Sequence, residues 1–383
     1  MEEKRFKEQK EEKATLRLLS VLFLLCCCFL AEAQDRLQLQ KEIEKIIYYD
    51  TEIRLENKPG YIIGVIVGDS TFVYSYGSVS KDSVRLPDQH SLFEIGGITK
   101  VFTASLVELM AREQLIHYDS SLNSYLPAVF RNPACQSITI GQLIHHTSGL
   151  PRMPMEFGSL EKEDNNPYAH YSKRNLMAFY QAYVGPERAG HYLYSNLGYA
   201  LLEIAIETIL QQPFEEILQE RLLSILDLKE TSIRLSTEQK SRLVNGYAKS
   251  GKPTAPWLFK SFAASEGLKS SMADLLTFVR ANLQYAEAPD WTALHQARHP
   301  TEITPQSFIG YGWHVIKNRK TYNVVLHPGS TSGYRALVGF VQETKTAVVV
   351  LSNSEYGTGG LGQLILRMLN NTKKNRKKRA AKN

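Results

Sequence analysis

Between positions 38 and 50 apolar residues recur one turn apart, at Leu39, Ile43 and Ile46-Ile47, which predicts an amphipathic helix. Lys58-Pro59-Gly60 ends that region. Two β-branched and aromatic runs follow, Tyr61 to Val67 and Thr71 to Tyr76, and the Gly68-Asp69 turn between them predicts a hairpin. From Ile98 the spacing of Phe102, Leu106, Leu109 and Met110 is helical again. From about 120 to 260 the pattern is mostly helical, with turn clusters at Thr147-Ser148-Gly149 and Val184-Gly185-Pro186 and long helices over Leu197 to Leu210 and Phe214 to Leu226. Strands return at Tyr311 to Ile316, Tyr322 to Leu326, Tyr334 to Val341 and Ala347 to Leu351, and a last helix at Leu361 to Leu369. No internal repeat is visible.

Strands at both ends around a helical block predict an α+β fold, in which one antiparallel sheet is assembled from the two ends and a mainly helical region, about 120–260, is inserted. The cleft between sheet and insertion is the natural place for a site.

The chain has 383 residues, 43% hydrophobic and 22% charged, enough for a sizeable core and incompatible with disorder or a collagen repeat. Its net charge of +6 is local: the last thirteen residues carry seven cations and no acid, leaving −1 elsewhere. That tail, 372–383, reads as a solvated charge run, or more sharply as a contact for an anionic lipid or cell-wall surface. Nucleic-acid binding is not expected, because no aromatic residues interleave with the bases. Cys26 to Cys28 are consecutive and only Cys135 lies beyond them, which excludes a disulfide framework and a multi-cysteine zinc site.

Leu18 to Ala31 is an uncharged 14-residue stretch, too short to span a bilayer comfortably, and ends in Ala31-Glu32-Ala33. We read residues 1–33 as a signal peptide cleaved before Gln34, with a short membrane anchor as the alternative. Lipidation would want a small residue ahead of the cysteine, whereas Leu25 precedes Cys26. The expected mature domain spans 34–371 ahead of the tail, in the periplasm, cell envelope or outside the cell, with Cys135 buried.

Three constellations carry chemistry. Residues 93 to 103 read Phe-Glu-Ile-Gly-Gly-Ile-Thr-Lys-Val-Phe-Thr, Tyr194-Ser195-Asn196 precedes the helix at Leu197, and His327-Pro328-Gly329-Ser330 follows a strand. In this order they resemble the serine β-lactamase and penicillin-binding protein superfamily, in its class C, esterase and D-Ala-D-Ala carboxypeptidase branch. Gly97-Ile98-Thr99-Lys100 occupies the place of the family's Ser-x-x-Lys motif, so the nucleophile's position holds glycine. Ser78…Lys81 and Ser159…Lys162 match that motif too, but beside the hairpin and in an acidic loop, where neither is a good substitute.

At a helix start free N–H groups stabilise an oxyanion, and residues three apart share a face, which puts Lys100 beside position 97 as a base. Tyr194 resembles the family's acid/base, its phenol deprotonated more easily near an ammonium. Asn196 resembles the amide that orients the lysine and a substrate carbonyl. His327, Gly329 and Ser330 resemble the family's Lys-Thr-Gly element in His-x-Gly form. Gly329 lets a substrate backbone approach, the Ser330 N–H is the second oxyanion donor, and His327 supplies a hydrogen bond or partial positive charge.

Two further runs resemble the family and read as structural: His145-His146-Thr147-Ser148-Gly149-Leu150-Pro151, and Glu266-Gly267-Leu268-Lys269-Ser270-Ser271. A zinc site at the paired histidines is not expected, because neighbours on one loop point apart and no further ligands complete it. No metal or cofactor is expected.

For an intact relative the resemblance implies acyl transfer on an amide, ester, β-lactam or D-Ala-D-Ala peptide, through a serine acyl-enzyme. This chain lacks the attacking oxygen. Catalytic impairment with retained ligand binding is therefore the expectation. The alternatives are hydrolysis rerouted through Lys100 or Tyr194, and a non-enzymatic binder of cell wall or protein.

Overall fold

A computed structural model of the chain describes residues 33–53, 59–157, 166–186, 188–283, 301–317, 322–356 and 358–380, with no side-chain detail for 359 and 372–380. The signal segment through residue 32 and the Ser159…Lys162 pair lie outside the described residues. Residues up to Glu52 form one unit, and Ile53 onward a second. The first holds a helix over 33–50, in agreement with the periodicity, with i,i+4 pairs such as Gln40–Glu44 along it.

In the second unit the two ends of the chain meet in one sheet. Strands β1 (Tyr61–Val67) and β2 (Ser70–Tyr76) form the predicted hairpin. Short strands β3 (Leu92–Glu94), β4 (Gly246–Tyr247), β5 (Pro253–Thr254) and β6 (Lys269–Ser271) lie outside it, pairing as β3–β6 and β4–β5. The main sheet continues with β7 (Thr301–Thr304), β8 (Ser307–Gly310), β9 (Trp313–Lys317), β10 (Asn323–Ser330), β11 (Arg335–Val341) and β12 (Thr346–Ser352). Its order is β2-β1-β12-β11-β10-β9-β8-β7, antiparallel throughout, and β1 pairs with β12 from Tyr61↔Ser352 to Val67↔Thr346.

Helices cover both faces, which is why β1 and β12 are apolar at nearly every position. On one face lies the Met272–Asn282 helix, admitted by Gly64: a Cβ there would stand 2.5 Å from Met272 Sδ and 2.9 Å from Leu276 Cδ2. Phe102 stacks on Phe278 at 3.9 Å and joins this layer to the Thr99–Arg112 helix. On the other face Leu366 of the Gly359–Ala380 helix would lie 3.2 Å from a Cβ at Gly339. That helix runs well past the predicted Leu369.

The inserted region departs from a mostly helical reading. Three short 3-10 turns (Leu122–Tyr125, Ala128–Phe130, Pro133–Cys135) precede its first helix, and β4–β5 lies inside it. The single helix expected over Phe214 to Leu226 is an α segment, Phe214–Leu218, followed by a π turn, Gln219–Leu223. Cys135 is buried, and burial pushes its thiol up to about 11.

Candidate active site

The site begins at a turn of two glycines. Gly96 has φ +47°, and a Cβ on it would lie 2.7 Å from both N and O of Ser330, so a side chain would push the β10 edge away. Gly329 abuts the Ile95 carbonyl in the same way. The His-Pro-Gly-Ser run is thus part of β10, not a loop after it. Pairing with β9 stops at Leu326, so Pro328 sits where its missing N–H breaks no ladder to that side.

The 3-10 turn Gly96–Ile98 leads into the Thr99–Arg112 helix, whose N-terminus has no side-chain cap and no acid in its first turn. Three bonds fasten this helix to the Ala263–Leu268 segment: Thr103 Oγ1 donates to Ala264 O (2.7 Å), Leu268 N–H donates to Thr99 Oγ1 (3.1 Å) and Lys100 Nζ donates to Ser265 O (3.0 Å). Lys100 is fully buried. Its ammonium stands 3.7 Å from Glu266 Oε1 and 4.9 Å from the Tyr194 ring centre. Burial, with Arg152 nearby, brings its pKa down to about 8 against the pull of Glu266.

The histidine loop positions the tyrosine. His146, buried at φ +56°, accepts the Ser195 N–H at Nδ1 (3.1 Å), and its ring lies 4.4 Å from that of Tyr194. Ser195 Oγ donates to Pro151 O (2.7 Å) and caps Gly198 N (2.9 Å), while Arg152 O accepts the N–H groups of Asn196 and Leu197. His145 packs instead edge-on against Tyr311 (ring centres 5.7 Å apart), and no group of three metal-ligating side chains occurs among the described residues.

Asn196 donates from Nδ2 to Glu266 Oε1 (2.9 Å), the oxygen that faces Lys100, and Glu266 Oε2 accepts from Tyr168 Oη (2.8 Å). Glu266 is therefore the junction of the polar site. The expectation that its segment is only structural is corrected here: its partners come from distant parts of the chain, and adjacent residues give no sign of them. Asn196 Oδ1 is buried without a partner.

Two electrostatic expectations also change. Burial and Glu266 hold the Tyr194 phenol well above its ordinary value, outweighing the Arg152 guanidinium, so it is protonated rather than readily ionised. His327 is driven far below its ordinary value by burial, His314 and Lys100, so it is neutral and offers no positive charge. Its Nδ1–H donates to Pro328 O (2.7 Å), which leaves a buried, unpartnered lone pair on Nε2.

These residues line a cavity of about 500 Å³, together with Arg152, Tyr168, Trp257, His314, Arg335 and Glu355, which the motifs did not indicate. Gly97, Tyr194, Asn196, His327, Gly329 and Ser330 all lie on its wall. Lys100 is behind it, reached through Glu266 and Tyr194. A Cβ at Gly97 would stand 3.1 Å from Tyr194 Oη, 3.2 Å from His327 Cε1 and 3.2 Å from Pro328 O. The glycine thus faces the tyrosine and histidine, and the site is closed around it by a few tenths of an ångström.

Lys100 gives a pH test. Below about pH 8 both folded and unfolded chains hold its proton and its burial cost is complete; between about 8 and 10.5 only the unfolded chain holds it, so stability rises with pH in that window. In denaturant titrations at pH 7 and pH 10, wild type is expected to gain on Lys100→Met at the higher pH. An unchanged difference contradicts the lowered pKa.

A family model described as Beta-lactamase matches residues 50–369. A "Beta-lactamase" of Providencia stuartii is 27% identical over 348 residues, covering 82% of this chain and 86% of the relative. "Penicillin-binding protein 4*" of Bacillus subtilis (strain 168) is 24% identical over 318 residues, covering 78% and 69%. Among solved structures, a beta-lactamase/D-alanine carboxypeptidase from Pseudomonas syringae superposes with a TM-score of 0.73 at 23% identity over 86% of this chain and 97% of that one. A class C beta-lactamase superposes at 0.75 and 22% over 87% and 97%. With its eight-stranded antiparallel sheet flanked by helices, this chain belongs to the beta-lactamase family of serine hydrolases and penicillin-binding proteins.

Proposed function

We propose that the protein binds amide, ester, lactam or D-Ala-D-Ala peptide carbonyl groups in the 500 Å³ cavity and is severely impaired in acyl transfer. One observation carries the reading: position 97 directs its missing side chain at Tyr194 and His327, one helical turn from Lys100, and has no oxygen to attack with. In this reading the Gly97 and Ser330 N–H groups polarise the bound carbonyl, and Asn196 and Glu266 hold Lys100 in place. His327 Nε2 accepts a hydrogen bond from the ligand. No covalent intermediate forms at Gly97.

Equilibrium binding of benzylpenicillin and of a D-Ala-D-Ala peptide, followed by calorimetry with product analysis after hours, tests this. Saturable binding with the ligand recovered intact is expected. Rapid turnover, or no binding of either ligand or of a simple ester, overturns it.

A second reading is favoured by the Lys100 pKa of about 8, which leaves part of the population with a free amine at neutral pH to activate water. It requires slow p-nitrophenyl ester turnover that rises through pH 8 and is lost in Lys100→Ala and Tyr194→Phe. Turnover unaffected by both substitutions eliminates it.

Export completes the proposal. Among the described residues no helix is long and apolar enough to cross a membrane. N-terminal sequencing of the protein from the producing cell is expected to begin at Gln34; an intact Met1 contradicts cleavage. Pull-down on anionic lipid and cell-wall polymer, with and without residues 372–383, tests the tail, and equal retention without it ends that role.

A further inference from the structure

A second cavity, of about 740 Å³, lies on the far side of Trp257 from the catalytic one. Its floor is apolar and buried, formed by Ile233, Val244 and Tyr334, with Tyr334 Oη closing it through a bond to Val244 O (2.6 Å). The half-buried Leu235, Leu243 and Phe259 make its walls, and the exposed Leu258 stands at the rim. This is the size and composition of a site for a small organic ligand, for which roughly 300–1,000 Å³ is typical.

Among the described residues the charged side chains on its wall are cations, Arg234, Lys240 and Lys269, and behind the wall Glu94 stands 3.9 Å from Lys269 and Glu215 3.4 Å from Arg234. Lys269 is occupied: buried, it donates to Trp257 O (2.8 Å), Ile233 O (3.3 Å) and Gly267 O (3.4 Å). Arg234 is mostly exposed, with Glu215 at 3.4 Å. Lys240 is exposed and makes no ion pair among the described residues, so it is the cation available to a ligand. Thr254 Oγ1, buried and without a hydrogen-bond partner, adds a polar point within the wall.

From the apolar floor and the unpaired Lys240 at the rim, with no acid among the described lining residues, we propose that this cavity binds an amphipathic carboxylate, an alkyl-chain acid whose tail lies on Leu235, Leu243 and Phe259 and whose head reaches Lys240. Trp257 lines both cavities, and its backbone bonds Glu94 (N–H to Oε1, 2.6 Å) and Lys269, on strands β3 and β6 beside the Gly96 turn and Glu266.

Calorimetric titration of the full chain with sodium decanoate, below its aggregation concentration, tests the proposal. One saturable site is expected, weakened about fivefold by Lys240→Glu, in keeping with the modest worth of an exposed ion pair, and weakened further by salt. Leu243→Glu is expected to abolish binding, and its far-UV dichroism and melting show whether it folds; the exposed Lys240 variant carries the test if it does not. Decyltrimethylammonium is expected to bind at least about tenfold more weakly, a charge selectivity that one electrostatic reversal supplies. Unsaturable heats, equal binding of the cationic amphiphile, or decanoate binding unaltered by Lys240→Glu overturns it.

Discussion

Gly97→Ser is expected to turn a protein inert to covalent β-lactam and fluorophosphonate probes into one that they label. Removing the nucleophile from a serine-hydrolase unit costs on the order of a millionfold in kcat. Restoring it here does not recover all of that, because the new Cβ meets Tyr194 Oη, His327 Cε1 and Pro328 O at 3.1–3.2 Å. Tyr194 and the strand edge must retreat slightly, and a misplacement approaching 1 Å costs on the order of a hundredfold. A gain of about ten-thousandfold in labelling rate is the balance of the two. The rate is expected to climb through about pH 8 as Lys100 loses its proton, and to collapse in Gly97→Ser/Lys100→Ala. Labelling of the serine variant no faster than wild type would mean that the neighbouring groups are not arranged as a catalytic unit.

The second large effect is on stability. Glu266 is the counter-charge of a fully buried ammonium and also accepts from Asn196 and Tyr168. Removing one partner of a buried pair typically costs about 3–5 kcal/mol, because the other charge is left without compensation. Glu266→Ala is expected to lower Tm by about 10 °C, given roughly 2–4 °C per kcal/mol for domains of this order of size. Lys100→Met/Glu266→Gln, which removes both charges, is expected to regain most of the loss. An unaltered melting temperature for Glu266→Ala would show that Ser265 O and the cavity wall suffice to hold Lys100.

How far the chain reveals this arrangement depends on how local each signal is. The β1–β2 hairpin and strands β9 to β12 are legible because their β-branched runs are bounded by turns, and β1 and β12 are buried on both faces. Strands β7 and β8 are missed: Thr301–Thr304 alternates half-buried and exposed residues with no apolar run to announce it. The Met272–Asn282 helix is missed although Ser271 caps it at Asp274, since the preceding serines read as loop. In the site, Gly97, Lys100, Tyr194, Asn196 and the β10 edge come together as their motifs imply. Glu266 and Arg152 escape notice because their significance lies in contacts across the fold, with Lys100 and with the Tyr194 ring at 5.4 Å. The protonation states of Tyr194 and His327 were illegible for the same reason: burial decides both, and burial is a property of the packed molecule.

The central claim is that position 97 offers no nucleophile and that nothing nearby replaces it. Intact-protein mass spectrometry after prolonged incubation of wild type with a fluorescent penicillin, and separately with a fluorophosphonate, tests this most directly. An unchanged mass beside a labelled Gly97→Ser sample is the predicted result; a stoichiometric adduct on wild type, mapped to a residue lining the cavity at Gly97, would contradict it.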